Sequence, residues 1–240
     1  MGFAAKTDIG KHKKNNEDNF FKYQNEKVTG GMVADGMGGH NSGEIASKMM
    51  CTIVKQYIIS EYDPSMDYME MAELIRAAFA EANLEIYRAS SIKENEGMGT
   101  TATLAFIYDG KLITAHVGDS RCYKITKDKI EQITTDHSYV NELVSSGKIS
   151  KDAAREHPNR NLITRAVGTD ISVKVDMDIK TYMGETILLC SDGLSTMISD
   201  EQIFDTVNTS EEIEDAVDKM IELANKKGGS DNITVIAFNN

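Results

Sequence analysis

The fold is decided by residues 101–125, which read TATLAFIYDGKLITAHVGDSRCYKI. This stretch predicts two or three strands. The first two are separated by Asp109-Gly110, a dipeptide typical of the tight turn in an antiparallel hairpin. Short apolar runs between polar turns predict further strands nearer the start of the chain, over residues 3–6, 19–23 and 27–34.

Helical patterns follow those first strands. Residues 42–59 and 66–92 predict two long helices, and the second carries an apolar stripe with the spacing of a face packed on the core. That stripe consists of Ala72, Ile75, Phe79, Ala82 and Ile86.

The second half of the chain begins with a polar, irregular segment, residues 131–170, in which we expect short helices near 138–146 and 150–155. Alternating apolar and polar residues predict a strand with one exposed face over 171–179. Further predictions are a strand over 186–190, an amphipathic helix over 211–227 capped by Ser210 and stopped by Gly228, and a strand over 232–238.

This order of elements is not the regular alternation of strand and helix that a parallel sheet requires. It predicts an α+β fold in which antiparallel sheets are covered by helices. The chain has 240 residues and only two prolines, and no flexible linker divides it. We therefore expect a single domain over residues 1–240.

Composition excludes several classes of function. The net charge is −12, which disfavours nucleic acids and anionic membrane surfaces, because both attract basic proteins. No apolar run is long enough to span a membrane. Three widely spaced cysteines fit reduced thiols. We expect a cytoplasmic monomer.

The chemistry is carried by acidic residues at the ends of predicted strands. Asp35-Gly36 and Asp192-Gly193 each end an apolar run, and Gly118-Asp119 follows another. Asp231 precedes an apolar run, as does the pair Glu17 and Asp18. Asp-Gly is also a common turn, and we accept that interpretation for Asp109-Gly110. Asp35 and Asp192 differ, because a predicted helix follows each of them.

Oxygen ligands without thiols or imidazoles select hard cations such as Mg²⁺ or Mn²⁺. Two carboxylates about 4 Å apart repel by roughly 4 kcal/mol at an effective dielectric constant of about 20. Bound cations would relieve that repulsion if the carboxylates converge, which the sequence alone does not show.

Eight motifs, in order and spacing, resemble those of the metal-dependent PPM (type 2C) serine/threonine protein phosphatases, and most closely the short bacterial members. The resemblance covers essentially the whole chain. The motifs are NNEDNF (15–20), VADGMGGHNSGEIAS (33–47), GTTATLAF (99–106), HVGDSRCY (116–123), TTDHS (134–138), ITRAVGT (163–169), LLCSDGLS (188–195) and GGSDNITVI (228–236).

The resemblance implies a four-layer αββα sandwich with two Mn²⁺ or Mg²⁺ ions at its edge. Asp35 would bridge the ions, the Gly36 carbonyl would bind one, and Asp192 and Asp231 would complete the other. A hydroxide bridging the ions would attack the phosphorus of phosphoserine or phosphothreonine in line, without a covalent phosphoenzyme.

Further residues receive roles from the same resemblance. Glu17 and Asp18 would hold metal-bound waters, and Asp119 with Asp192 would hold a weaker third ion. Residues 131–170 match a mobile flap, which His137 would brace, and Asn232 would support the site. The implied substrates are phosphorylated proteins, including a Hanks-type serine/threonine kinase that the enzyme would oppose.

Two positions depart from the family pattern. Lys13 stands where an arginine usually binds the substrate phosphate, and lysine loses the bidentate geometry of a guanidinium. Met37 stands where eukaryotic members have a histidine proposed as general acid. His40 lies near in sequence and could hydrogen-bond into the site, but a structural role at the helix start is favoured for it.

Three alternatives weigh less. A binding protein with a disabled site is favoured only by Lys13. A serine hydrolase would use Ser120 with a histidine such as His137, but the sequence lacks the nucleophile elbow G-x-S-x-G. The stretch VDMDIKT resembles an aspartyl-phosphate motif, yet the alternation places Asp176 and Asp178 on the exposed face of a strand.

Overall fold

Two antiparallel sheets form the centre of the molecule. A computed structural model describes residues 2–38 and 42–239. The first sheet has the strand order β1 (Phe3–Asp8), β11 (Ile233–Phe238), β10 (Thr186–Cys190), β7 (Arg121–Ile125) and β8 (Ile130–Gln132). The second has the order β2 (Asp18–Gln24), β3 (Val28–Met37), β5 (Ala102–Tyr108), β6 (Lys111–Val117) and β9 (Asp176–Thr181), and the short β4 (Gly99–Thr100) pairs with β3.

Helices cover the outer face of each sheet. Two long helices, α1 (Ser42–Glu61) and α2 (Tyr68–Ser90), pack on the second sheet. Three shorter ones pack on the first sheet: α5 (Asp192–Ser195), α6 (Asp200–Thr209) and α7 (Ile213–Lys226). Between β8 of the first sheet and β9 of the second, the chain forms α3 (Tyr139–Ser145) and α4 (Lys151–Arg155).

The sheets also pack on each other. Val33 and Ile107 of the second sheet belong to one buried cluster with Leu189, Ile236 and Phe238 of the first. The order is therefore helices, sheet, sheet, helices, which confirms the predicted α+β class and the four-layer sandwich. No helix within the two described ranges has both the length and the apolar character needed to cross a membrane.

The predicted hairpin is confirmed. Strands β5 and β6 pair from Ala102↔Val117 to Tyr108↔Lys111 around the two-residue turn. Asp109 has φ 48° and Gly110 has φ 66°. Both values lie in the left-handed region that a tight hairpin turn of this kind requires.

Three details differ from the sequence predictions. The strand expected over 171–179 begins only at Asp176, and Ile171 is exposed. Ser210 does not cap α7, since Glu212 is its N-cap residue and the Ser210 hydroxyl donates to the Thr206 carbonyl at the end of α6. Helix α6 itself was not predicted.

Candidate active site

The site begins where β2 and β3 run side by side. Asp18 and Asp35 are directly opposed in the register of these two strands. The backbone of Asp35 is fixed by the neighbouring loop: its N–H donates to Thr101 Oγ1 at 2.9 Å, and its carbonyl accepts from the Thr101 N–H at 2.8 Å. Two acidic side chains of the second sheet are therefore held together at one end of it.

Gly36 lies in a position with no room for a side chain. Its N–H donates to the Glu17 carbonyl at 3.1 Å. A Cβ on Gly36 would lie 2.0 Å from the carbonyl oxygen of Gly43 in α1. The backbone of β3 thus approaches the start of α1 closely beside Asp35.

The first sheet contributes two more aspartates from adjacent strands. Asp192 begins α5 just after β10, and Asp231 precedes β11. Their loops touch so closely that a Cβ on Gly193 would lie 1.9 Å from the Asn232 carbonyl oxygen. Because β10 and β11 are paired antiparallel, the end of one and the start of the other meet at the same edge of the sheet.

The charges of four other aspartates act on Asp35. Burial, followed by the charges of Asp18, Asp192, Asp119 and Asp231, raises the pKa of Asp35 well above its usual range.

The pKa values of two further aspartates are raised in the same way. Burial and then the charge of Asp231 raise the pKa of Asp192 to about 6. Burial and then the charge of Asp192 raise the pKa of Asp119 to about 8. Acidic side chains from both sheets therefore share one electrostatic environment.

Asp18 joins the two sheets. Its Oδ2 accepts hydrogen bonds from Ser191 Oγ and Thr234 Oγ1, each at 2.7 Å, and both donors belong to the first sheet's edge. Its other oxygen, Oδ1, is buried without a hydrogen-bond partner. Burial raises the pKa of Asp18 to about 7, although the two hydroxyl donors oppose that rise.

This arrangement fits divalent cations. Every donor of the cluster is an oxygen, and an unpartnered buried carboxylate oxygen is the kind of group that a cation or its water satisfies. Within residues 2–38 and 42–239, however, no three His, Cys, Asp or Glu side chains form a ready-made cage by themselves. The fit thus depends on carbonyl and water ligands in addition to carboxylates.

Lys13 lies beside the cluster. Its ammonium is 2.5 Å from Asp231 Oδ1, and the side chain is about one-third exposed (36%). Burial lowers the pKa of Lys13, but the hydrogen bond with Asp231 and the charges of Asp231, Asp35 and Glu17 outweigh it and raise the pKa. The ammonium of Lys13 therefore stays charged and offsets part of the negative charge at Asp231.

Asn232 connects the chain segment that carries Lys13 to the site. Its Oδ1 accepts from the Glu17 N–H at 2.8 Å, while its Nδ2 donates to the carbonyls of Ile9 and Asn15 at 2.9 and 3.0 Å. Burial, above all, raises the pKa of Glu17. The buried Asn232 therefore holds the backbone of Glu17 close to Asp231.

His137 and His40 complete the predicted set. His137 is buried and contacts Gly118, next to Asp119, and Asp176. His40 lies outside the described residues.

The sequence analysis missed the hydroxyl groups of Ser191, Thr234 and Thr101. Their signal in the sequence was position alone: Ser191 directly precedes Asp192, Thr234 follows Asp231 by three residues, and Thr101 directly precedes β5.

The fold and this acidic edge define a metal-dependent phosphatase. The chain's residues 10–235 match the family described as Protein phosphatase 2C, and the chain belongs to that family.

Individual relatives agree with the family match. The serine/threonine phosphatase stp of Listeria monocytogenes is 36% identical over 241 residues, covering 98% of this chain and 94% of the relative. Stp1 of Staphylococcus aureus, a solved structure, has a TM-score of 0.91 at 35% identity over 99% of this chain and 94% of that one. PstP, solved in complex with 2 manganese ions, has a TM-score of 0.82 at 33% identity over 98% and 96%. The protein is a serine/threonine protein phosphatase.

Proposed function

We propose that this phosphatase hydrolyses phosphoserine and phosphothreonine esters with two Mn²⁺ or Mg²⁺ ions held by Asp35, the Gly36 carbonyl, Asp192 and Asp231. The observation that carries the proposal is the convergence of aspartates from both sheets. Beyond the effect of burial, the charges of Asp192 and Asp231 raise the pKa of Asp35, and the charge of Asp231 raises that of Asp192. The manganese pair in the related PstP supports the same number of ions.

Two divalent ions held by these residues would lower the pKa of a coordinated water and draw charge from the phosphate oxygens. The residues of this chain would bind and orient the phosphate and the water. Lys13 binds the phosphate through its ammonium. Asp18, held through Oδ2 by Ser191 and Thr234, would accept a hydrogen bond from a metal-bound water at its unpartnered Oδ1, and the carboxylate of Glu17 would accept from another such water.

Water, rather than a side chain, is the nucleophile in this proposal. All three cysteines are buried, and burial raises the pKa of each thiol far from the range of a reactive thiolate. Ser120 is fully buried and its hydroxyl pairs with Thr101 Oγ1 at 2.7 Å. His137, the base suggested for a serine hydrolase, is engaged by Gly118 and Asp176 instead. These contacts argue against that alternative.

The finer parts of the proposal concern additional ions and partners. Asp119 and Asp192, which are electrostatically coupled, would hold a third, weaker ion. The substrates would be phosphorylated proteins, including a Hanks-type serine/threonine kinase. We place the enzyme in the cytoplasm as a monomer, and the three free thiols are consistent with a reducing compartment.

The decisive experiment measures phosphate release from a phosphothreonine peptide. We expect activity that requires Mn²⁺ or Mg²⁺, stops with excess EDTA, and is lost in Asp192→Asn. Asp109→Asn is the matched control, since it changes another Asp-Gly pair, at the exposed hairpin turn. Full turnover in excess EDTA, or equal activity of the two variants, would contradict the proposal.

The same assay separates an enzyme from a binding protein with a disabled site. A binding protein would retain the phosphopeptide without releasing phosphate at any metal concentration. The complete set of aspartates at the site favours the enzyme.

A further inference from the structure

His137 holds both backbone polar atoms of Gly118, the residue before Asp119. Its Nδ1 accepts from the Gly118 N–H at 3.0 Å, and its own backbone N–H donates to the Gly118 carbonyl at 2.8 Å. Gly118 has φ 109°, and a Cβ there would lie 2.6 Å from the Thr101 side chain. The turn that presents Asp119 is therefore clamped from one side by a single histidine.

The other side of His137 faces an ion pair outside the carboxylate cluster. Nε2 lies 3.0 Å from Asp176 Oδ2, and Arg165 Nη1 donates to Asp176 Oδ1 at 2.8 Å. The His137 carbonyl also accepts from the Thr164 N–H at 2.8 Å. His137, which like Arg165 belongs to the 131–170 segment, thus connects that segment to Asp176, the first residue of β9.

These contacts fix the tautomer of the ring. Because the Gly118 N–H is a donor, Nδ1 must carry a lone pair, so the proton of the neutral ring is on Nε2 and is donated to Asp176. Arg165 Nη1, 2.9 Å from Nε2, makes its hydrogen bonds to Asp176 and to the Lys174 carbonyl. Burial lowers the pKa of His137, the hydrogen bond with Asp176 opposes that change, and the Arg165 charge adds to it; the net direction is downward, in agreement with a neutral ring.

We propose that His137 is a positioning residue for the third-ion site: it transmits the arrangement of Arg165 and Asp176 to the Gly118 turn and so sets where the Asp119 carboxylate lies. The inference rests on the proposed function of Asp119. It assigns His137 no contact with substrate and no proton transfer. Its consequence is that occupancy of the weak ion depends on contacts made by the 131–170 segment.

Two conservative variants separate the two ends of this contact. In His137→Asn, the amide oxygen occupies about the place of Nδ1 and still accepts from Gly118, but the side chain no longer reaches Asp176. In His137→Gln, the amide nitrogen occupies about the place of Nε2 and still donates to Asp176, but nothing accepts from Gly118.

The measurements are Mn²⁺ binding by calorimetry and kcat and KM as functions of Mn²⁺ concentration. One lost hydrogen bond changes an equilibrium about two- to tenfold. We expect His137→Gln to weaken the last, weakest Mn²⁺ binding step by about that factor and to raise the Mn²⁺ concentration for half-maximal kcat. We expect His137→Asn to shift both by less, and KM for the phosphopeptide to stay unchanged in both variants.

His157→Gln is the control, because it makes the same replacement elsewhere in the 131–170 segment. Equal Mn²⁺ responses of the Asn and Gln variants, or loss of activity with unaltered Mn²⁺ binding, would overturn the proposal and leave His137 a structural residue. If His137→Gln does not fold, Asp176→Ala tests the same chain of contacts from its other end and should weaken the same binding step. Failure of the proposed function is distinct, since the unaltered enzyme would then show no metal-dependent turnover.

Discussion

Replacing Asp18 by asparagine should stabilise the metal-free protein at alkaline pH. Burial raises the pKa of Asp18 from 3.8 to about 7. Since a pKa difference of one between folded and unfolded protein corresponds to 1.36 kcal/mol, ionisation of this carboxyl costs the folded state roughly 4 kcal/mol above pH 7. The folded protein keeps a proton that the unfolded chain has lost, so this part of the stability falls as pH rises from about 4 to about 7.

Asparagine removes the charge but keeps the shape. Its amide oxygen can accept from Ser191 and Thr234, whereas its NH₂ group replaces the unpartnered Oδ1. A buried donor without a partner costs about 1–3 kcal/mol. The net expectation at pH 8 is therefore a gain of roughly 1–3 kcal/mol in the free energy of unfolding. At pH 4.5 the folded protein keeps the Asp18 proton and only about 1 kcal/mol of the ionisation cost is present, so the gain should vanish or reverse.

The assay is urea unfolding in EDTA at several pH values between 4.5 and 8, analysed by linear extrapolation. Asp109→Asn is the control and should show no pH-dependent difference from the unaltered protein. With saturating Mn²⁺ the order should invert, because a ligand that binds only the folded state stabilises it, and the Asp18→Asn variant would bind it less tightly. The same stability difference at pH 4.5 and pH 8 would refute the argument.

Two further predictions concern the substrate contact and the backbone of the site. Lys13→Arg should lower KM for a small aryl phosphate about three- to tenfold with little change in kcat, because a guanidinium binds phosphate through two parallel hydrogen bonds; steady-state kinetics that show an unchanged or higher KM would reject the role of Lys13. Gly193→Ala should lower the free energy of unfolding, measured by urea unfolding, by about 1–3 kcal/mol or more, because its Cβ would meet the Asn232 carbonyl oxygen at 1.9 Å. Gly184→Ala is the control for backbone strain alone, since nothing lies within 4 Å of its Cβ but its φ is 93°. Equal losses in the two variants would contradict the steric explanation.

Sequence patterns were sufficient for most strands because turns and apolar runs are local. They failed where pairing partners decide the boundary. Val173 and Val175 pack on the core as the alternation predicts, but β6 pairs with β9 only as far as His116↔Asp176. Residues before Asp176 run past the pairing, so Val173 and Val175 are partly buried without belonging to a strand, and Ile171 is exposed.

Helix ends show a similar limit. The motif Ser199-x-x-Gln202 forms a capping box at the start of α6, and this signal was present in the sequence. Ser210 is equally suited to a cap, yet its hydroxyl donates backward to Thr206. The path of the chain determines whether such a polar residue hydrogen-bonds to the helix before it or caps the helix after it.

For the site, the sequence supplied the acidic residues but not their distances. Asp18 and Asp35 are neighbours because of strand register, and register follows from the whole sheet. The contact of Asp18 with Ser191 and Thr234 crosses from one sheet to the other. No local pattern contains that information, and the resemblance to the family did not predict this contact either.

The geometry of the site is set by its backbone more than by its side chains. Gly36 and Gly193 each lie where a Cβ would meet a carbonyl oxygen at about 2 Å, and Gly118 lies where it would meet Thr101. These close approaches fix the strand ends that carry Asp35, Asp192 and Asp119. An aspartate replaced by asparagine therefore loses charge without displacing the frame, so such variants separate the electrostatic cost of the cluster from its folding. If the two effects are separate, the metal-free protein should become more stable in the same variants in which metal binding becomes weaker.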